Sequence, residues 1–557
     1  RPARRYRFDP LSMVNRRFIT SVRIAAASLL LLLFLGVARG QETLPPFHWV
    51  NGYVDYLKVR GFLPELAVSE RPYSRQALAR QLLEIDLDRL SGTEKAMVRL
   101  LYREFSGEFR QLGTLPDSKW GILLQKALEV LKLTLLDAGD DPAFKLGAYG
   151  ATRYDYSDDA GSGDTNFDFH SQIGLFWKDY FTLYNSMKVF DQADENYIGK
   201  EYRDFYAYTQ QGYAAYQNGW LQAKLGRDFL QIGPGRGGQL LISDNSRTFD
   251  MYQVRLGNRT LQFSFWGIML DRTTQITGGN RMIGNRFLNG HRISLNLGDK
   301  IHLGASEVIL YSGEARQWEL GFINPVTLYY AHNVNQEPGA AQGNLLYNID
   351  WDLYLWPNLE IYGEIMLDDI QVDRKTPGDL EPDEYGLLLG LHWARPLGAA
   401  NGLLNLEYTQ VRNRTYNVAT PVWDKYLHRN EEIGHYLGNN FERIDLSYRH
   451  WLRPELNLRL FGSLTRQGEG SVAGAFNNDF LNSTVEEGYD EAFPFGVVER
   501  TWESGLGLFY KPYPAGHVSL DLAYQDIKNP AHQEGAAFSD ITVRLGLWLQ
   551  WNRLWTW

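Results

Sequence analysis

The residues best suited to bind a ligand lie in one stretch, Gly226 to Leu256. Two residues are enough to join neighbouring strands, whereas this connection uses about fourteen. Glycine and proline at this density indicate backbone that leaves strand geometry and approaches another group closely. The candidate residues of the loop are Gly233, Pro234, Gly235, Arg236, Ser243, Asp244, Asn245 and Arg247.

Two interpretations of this loop remain open. In the first, its amides and the guanidinium groups of Arg236 and Arg247 bind sugar hydroxyls or uronate carboxylates, because arginine grips a carboxylate through two hydrogen bonds. In the second, the loop folds into a barrel lumen, where Asp244, Asn245 and Arg247 bond to the wall and satisfy a buried polar network. The lumen-facing charges expected to meet it are Glu360, Glu364 and Arg544.

The sequence gives little support for a catalytic function. Glu360 and Glu364 share one strand face about 13 Å apart, at roughly 3.3 Å per residue. That separation exceeds the spacing of a glycosidase pair. Ser447 and His450 could serve a lipase only by meeting on the lipid-facing wall, and no histidines show zinc-binding spacing. We therefore predict no enzyme, no metal and no cofactor.

Composition favours many strands that are apolar on one face. Aromatic residues make up 14% of the 557 residues and there are 53 glycines, yet the mean hydropathy is only -0.36. The net charge of -10 disfavours a nucleic-acid partner. Cysteine is absent, which excludes disulfides, a lipoprotein anchor and thiolate chemistry.

Residues 1–40 are predicted to comprise a secretory signal peptide with some upstream residues. Translation is expected to start at Met13, which is followed by Arg16 and Arg17 and by an apolar run from Ile24 to Val37. The run is shorter than the roughly 20 residues of a membrane-spanning helix.

Residues 41–140 are predicted to form a small helical module in the periplasm. Ser74 is a good N-cap for one helix, and Ser91 with Glu94 has capping-box spacing for the next. Between Trp120 and Leu135 periodicity does not distinguish helix from strand.

From residue 141 to residue 557 apolar and polar residues alternate, as Val518, Leu520 and Leu522 do with Ser519 and Asp521. A soluble sandwich shares this pattern. Alternating tight turns and longer loops, on an even count of about 18 strands, are typical of an outer-membrane β-barrel. The longer loops cover about 157–165, 192–200, 234–247, 272–286, 313–340, 373–382, 418–440, 468–498 and 530–538.

Aromatic residues at strand ends are expected to form girdles against outer-membrane lipid. They include Tyr154, Trp177, Tyr184, Trp356, Trp451, Tyr510 and Trp551. The terminal aromatic Trp557 is expected to be read by the barrel-assembly machinery, and we expect a monomer.

The stretch Gly226–Leu256, GRDFLQIGPGRGGQLLISDNSRTFDMYQVRL, resembles the signature of the Wzi capsule-assembly outer-membrane family, a G-P-G turn before an LLLSDNAR-P type segment. Residues 321–330 (GFINPVTLYY) and 362–369 (YGEIMLDD) resemble two further family-typical stretches. The chain departs from the pattern at Thr248 and Phe249, where proline is commoner.

The resemblance implies a lectin-like, non-catalytic protein that helps to assemble or retain capsular polysaccharide or exopolysaccharide at the cell surface. One barrel fold hosts many functions. The alternative function is a porin or solute channel in which the Gly-Pro-Gly loop constricts the lumen. A third hypothesis is an outer-membrane enzyme.

Overall fold

The fold is a closed antiparallel barrel of 18 strands, as predicted. The computed structural model describes residues 42–111, 143–177, 180–193, 199–277, 280–335, 343–371, 374–513 and 515–556. The strands are β1 Ala143–Ser157, β2 Ser162–Trp177, β3 Phe181–Phe190, β4 Tyr206–Asn218, β5 Leu221–Asp228, β6 Phe249–Gly257, β7 Leu261–Met269 continued by Thr273–Thr277, β8 Asn280–Leu297, β9 Ile301–Gly313, β10 Asn344–Trp356, β11 Leu359–Asp369, β12 Glu384–Ala394, β13 Gly402–Val411, β14 Phe441–Arg453, β15 Leu456–Gln467, β16 Glu499–Tyr513, β17 Gly516–Lys528 and β18 Ala537–Thr556. Strand β18 pairs with β1 and closes the barrel.

The two faces of each strand have different surroundings, because successive side chains point to opposite sides of a sheet. On β18, Leu545, Leu547 and Leu549 are exposed on the outer surface. Trp548 faces the lumen, where its ring lies 6.4 Å from that of Phe47. An apolar outer face around a polar interior is the arrangement of a transmembrane barrel.

Short turns and long loops alternate at the two ends, as predicted. The loop predicted at 418–440 begins earlier, at residue 412, and two other predicted loops are shorter than expected. The predicted loop 157–165 is reduced to residues 158–161, because β1 and β2 continue their pairing as far as Ser157 and Ser162. Most of the predicted loop 272–286 is a hairpin that extends β7 and β8. Strand pairing therefore continues further into both connections than turn-forming residues suggested.

Four helices lie in the N-terminal part, here called the helical segment (residues 42–111). They are α1 Asn51–Val59, α2 Arg75–Leu83, α3 Gly92–Glu104 and α4 Ser106–Gln111. Ser74 caps α2 through the amide of Ala77, and Ser91 and Glu94 form the predicted capping box on α3. No described helix is long and apolar enough to span a membrane.

The helical segment packs into the short-turn end of the barrel. Its apolar core includes the wall residues Ala394, Leu403 and Trp451. The Trp451 ring lies 5.0 Å from the ring of Tyr56, so its predicted place in an outer aromatic girdle is wrong. Tyr184 is also buried on the lumen side rather than exposed to lipid. An aromatic side chain near a strand end can point outward to lipid or inward to the lumen, and both of these rings point inward, where they are buried.

Several predicted features lie outside the described residues. They are the signal peptide (1–40), the undecided stretch 120–135 and the terminal Trp557. The division into a module of residues 41–140 and a barrel of residues 141–557 remains a prediction.

Two long loops fill one half of the lumen, bounded by β6–β13 and here called the filled half. They are residues 229–248, here called the inner loop, and residues 412–440. Buried apolar residues of both loops, among them Leu241 and Tyr426, form one core with wall residues such as Trp266 and Met366. The filled half is therefore packed like a protein interior.

A further segment, residues 314–335, folds down over the outer wall and is here called the outer flap. It contains two short helices, α5 Leu320–Ile323 and α6 Tyr329–Val334. Its Phe322 and Tyr329 pack on Phe287, Ile309 and Tyr311. The carboxylate of Glu307 accepts hydrogen bonds from the backbone amides of Tyr329 at 3.0 Å and Tyr330 at 2.9 Å. The second family-like stretch, 321–330, thus lies in the flap.

We expect Glu307→Ala to release the outer flap, because two amides at the start of α6 lose a charged acceptor. Hydrogen exchange of peptides from residues 314–335 should accelerate by about tenfold, as the loss of charged hydrogen bonds implies. Glu314→Ala, which changes an exposed glutamate of the same segment, is the control and should leave exchange unchanged. Equal exchange in both variants would show that Glu307 does not hold the flap.

Candidate functional site

The inner loop is fastened to the wall by three buried carboxylates. Glu407 accepts the amides of Arg236 and Gly237, both at 2.8 Å. Glu364 accepts the amides of Leu240 at 3.1 Å and Leu241 at 3.0 Å. Each carboxyl group thereby accepts two hydrogen bonds from the loop, as a polar group removed from water requires.

The third wall carboxylate, Glu360, binds the Arg236 side chain. One guanidinium nitrogen of Arg236 lies 3.0 and 3.1 Å from the two oxygens of Glu360. Tyr354 donates a hydrogen bond to the same carboxylate at 2.8 Å. Arg236 is therefore engaged by the wall and is not presented to a ligand.

The glycines of the turn allow this close approach. A Cβ on Gly233 would lie 2.5 Å from a carboxylate oxygen of Glu364, and the φ of Gly233 is +124°. A Cβ on Gly237 would lie 2.8 Å from Glu407, and one on Gly235 would lie 2.0 Å from the backbone oxygen of Gly238. Pro234 lies between the first two glycines, also buried. The prediction that this backbone approaches another group closely is confirmed.

The inner loop also joins the helical segment to the wall. Gln231 and Ile232 form a short antiparallel ladder with Arg71 and Glu70. The side chain of Glu70 continues the connection, because Arg292 of the wall donates to it at 3.1 Å. Arg292 also donates to Asp350 at 2.9 Å. Helical segment, loop and wall thus form one hydrogen-bonded unit.

The later part of the loop, residues 244–247, is the polar tip. Before it, Ser243 is buried and donates to the backbone oxygen of Gly434. Asp244 is exposed, whereas Asn245 is half-buried and donates to the backbone oxygen of Glu432 at 3.1 Å. The Arg247 guanidinium lies over the Tyr208 ring, 4.9 Å from its centroid. The tip is therefore the part of the loop that a ligand could reach.

The predicted wall partners of the loop are partly wrong. Glu360 and Glu364 do face it, but they bind Arg236 and backbone amides rather than the polar tip. Arg544 faces the opposite half of the lumen and is bonded at 2.8 Å to Asp155. Alternation along a strand predicts which side of the barrel wall a side chain faces, but it does not predict where around the barrel the residue lies.

The other half of the lumen, bounded by β14–β18 and β1–β4, is here called the solvent half. Its charged side chains are accessible: Arg544 is 59% exposed and Arg153 is 52% exposed. Next to the polar tip, the ring of Phe190 lies 5.5 Å from that of Tyr206 and 6.0 Å from that of Tyr208. These rings and Arg247 form an aromatic and cationic surface, here called the aromatic platform.

Charged groups flank the aromatic platform. Lys188 lies over the ring of Phe190, 5.1 Å from its centroid, and pairs with Asp168 at 3.2 Å. Flat apolar rings beside charged hydrogen-bonding groups are suited to a sugar, which has apolar C–H faces and polar edges.

Tyr208 and Glu407 were not predicted from the sequence, since each is one of many polar or aromatic residues on alternating strands.

The geometry gives no support to a catalytic pair. Glu360 and Glu364 are both occupied by the inner loop. Ser447 and His450 lie on opposite faces of β14, because they are three residues apart, and His450 contacts Tyr448 at 3.0 Å. Among the described residues, no cluster of acidic and histidine side chains could hold a metal ion.

We expect Gly233→Ala to loosen the inner loop, because the new Cβ meets Glu364 in a backbone region that disfavours side chains. Strain of about 1–3 kcal/mol predicts that amides in residues 229–243 exchange about 5- to 150-fold faster. The control is Gly298→Ala, which also has a positive φ of +65° but no atom within 4 Å of the new Cβ. Unchanged loop exchange in Gly233→Ala would contradict the fastening role of this turn.

Comparison with known proteins agrees with this architecture. The chain is similar in structure to Escherichia coli Wzi, described as an outer membrane protein involved in group 1 capsule assembly and a carbohydrate-binding β-barrel. The identity is 14%, the TM-score is 0.55, and 92% of this chain and 99% of that chain are covered. Pseudomonas aeruginosa OprD (12% identity, TM-score 0.42, 73% of this chain and 95% of that chain) and Acinetobacter baumannii OccAB4 (10%, 0.43, 74% and 98%) are also similar.

No curated protein matches the sequence. The model of the capsule assembly protein Wzi family matches residues 146–539, which is most of the chain. The fold is that of an outer-membrane β-barrel, and the chain belongs to the Wzi family.

Proposed function

We propose that this protein binds capsular polysaccharide or exopolysaccharide at the cell surface, without catalysis, and so assists its assembly or attachment. The observation that carries the proposal is membership of the Wzi family across residues 146–539. The carbohydrate binding described for Escherichia coli Wzi points the same way. The aromatic platform beside the polar tip supplies a surface of suitable chemistry in this chain.

The long-loop end supports binding because its loops are held in place before any ligand arrives. Arg414 is buried and forms two hydrogen bonds with Glu491, at 2.9 and 2.8 Å. Asn440 accepts the amide of Phe495 at 2.8 Å, joining residues 412–440 to residues 468–498. A preformed surface loses less conformational entropy when it binds a long, flexible glycan.

In the proposed orientation, the long loops face the exterior and the helical segment faces the periplasm. The barrel closes within a single chain, so no strand edge is left for a partner. We propose a monomer surrounded by outer-membrane lipid and inserted by the barrel-assembly machinery.

The alternative function, a solute channel, is disfavoured by the contents of the lumen. The inner loop does narrow the lumen, as that alternative requires, but it packs into a continuous apolar core in the filled half. The helical segment further occupies the short-turn end. We therefore expect conductance in planar bilayers far below that of an open porin.

The test is retention on immobilised polysaccharide from the producing strain. Removal of an aromatic stacking surface and of a charged donor should each weaken binding, so we expect about tenfold losses for Tyr208→Ala and Arg247→Gln. Tyr510→Ala, an exposed ring on the outer surface, and Arg259→Gln, at the short-turn end, are matched controls and should bind as the wild type does.

The outcomes separate the functions. Retention that falls only in the two platform variants supports the proposal. Steady single-channel currents from a wild-type protein that no polysaccharide retains would replace it with the channel function.

A further inference from the structure

A separate cavity lies deeper in the solvent half, between the helical segment and the wall. This space, here called the interior cavity, has a volume of about 400 Å³ and is lined by residues of α1 and of β14–β18, β1 and β2. Its volume falls within the roughly 300–1,000 Å³ of small-molecule sites. It contains neither the polar tip nor the aromatic platform.

The charged residues that line the interior cavity are mostly cationic. They are Arg75, Lys145, Arg449 and Lys511, against the single carboxylate of Glu42. Glu42 is already engaged, since it accepts a hydrogen bond from Lys145 at 2.6 Å. Burial lowers the pKa of the lining residue His48 to about 3, so His48 adds no charge at neutral pH. The cavity is therefore suited to an anion.

Arg449 is the cation that this cavity leaves for a ligand. Arg75 is paired with Glu108 at 2.5 Å, and Lys511 lies over the Trp49 ring, 4.5 Å from its centroid. The Arg449 guanidinium lies over the ring of Trp451 at 5.9 Å. Among the residues described, no carboxylate lies within the 4.0 Å limit of an ion pair with Arg449.

Gly52 makes room for this guanidinium. A Cβ on Gly52 would lie 1.9 Å from one terminal nitrogen of Arg449. The Arg449 guanidinium can lie here because Gly52 of α1 has no side chain, and any other residue at position 52 would displace it.

Stacked aromatic rings line another part of the cavity. Trp548 stacks on Tyr149 with ring centroids 5.3 Å apart, and His517 stacks on Trp548 at 5.5 Å. Asn457 and Gln172 add hydrogen-bonding groups to the lining. Tyr149 is also stacked on His170 at 4.1 Å, so these rings form a column whose edges line the cavity. Apolar ring edges and an arginine that can bind a carboxylate through two hydrogen bonds match a ring-shaped ligand that carries a carboxylate.

The wall next to the cavity is accessible to solvent. Arg459 is the cross-strand partner of Arg449 and is bonded to Asp521 at 3.0 Å. Arg459 is 40% exposed although it faces the lumen. Solvent therefore reaches the wall directly beside Arg449.

We propose that the interior cavity is a subsite for an acidic sugar unit, with a uronate carboxylate on Arg449 and the sugar ring against Trp548 and Tyr149. The inference rests on the proposed function, because the sugar would be part of the bound polysaccharide. It adds that acidic glycans are preferred and that a chain end or side branch enters the lumen.

The test uses the full-length protein in detergent and two disaccharides, digalacturonate and its neutral counterpart galactobiose, with binding followed by calorimetry. Loss of a charged hydrogen-bonding partner predicts that Arg449→Gln weakens digalacturonate binding by about tenfold or more. Gly52→Ala, which retains the arginine but displaces it, should weaken binding in the same direction. Arg259→Gln removes an equal charge at the short-turn end, outside the cavity lining, and should have no effect.

Polysaccharide retention is measured on the same preparations, with folded barrels selected by heat-modifiable gel mobility. Saturable digalacturonate binding that exceeds galactobiose binding and is lost in Arg449→Gln is the expected result. Retention of polysaccharide without digalacturonate binding, or equal binding in wild type and Arg449→Gln, would overturn the subsite and leave the proposed function intact. Absence of both retention and binding would remove both.

Discussion

The structure depends on three wall carboxylates that are buried away from water. Glu360, Glu364 and Glu407 could not be buried in the lumen without hydrogen-bond donors, because a buried polar group that is left unpaired is strongly destabilising. The donors come from Arg236 and from the amides of the inner loop. The loop cannot leave without leaving these carboxyl groups unpaired, and the helical segment is attached to the loop by a backbone ladder. One half of a wide barrel is thereby converted into a packed interior.

The three stretches that carry the family resemblance share this structural role. Gly226–Leu256 includes the inner loop, and residues 321–330 lie in the outer flap. The stretch 362–369 supplies the wall, where Tyr362 donates to Glu407 and Asp368 accepts the amide of Tyr416. The recognisable motifs therefore hold loops in place, and the residues suited to contact a glycan lie mainly elsewhere. Tyr208, Phe190 and Arg449 belong to none of the three stretches.

Much of this architecture follows from the sequence, because its physical signals are local. Alternation predicted the strands, turn residues predicted their number, and the glycines of the inner loop predicted a close contact. What could not be predicted is the contact between segments that are distant in sequence. Arg544 and Glu360 share a lumen-facing pattern, but they lie in different halves of the barrel. Trp451 has the sequence pattern of a girdle residue, yet Tyr53 and Tyr56 of α1 pack against it and make it part of a core.

In the proposed function, glycan binds the solvent half while the filled half serves as a rigid scaffold. Hydrogen exchange of the whole protein, measured with and without saturating polysaccharide, tests this division directly. Bound glycan should slow exchange in the long-loop ends of β1–β4 and in the polar tip, with no change in residues 229–243. Protection confined to the filled half, or a change in residues 229–243 on binding, would contradict it.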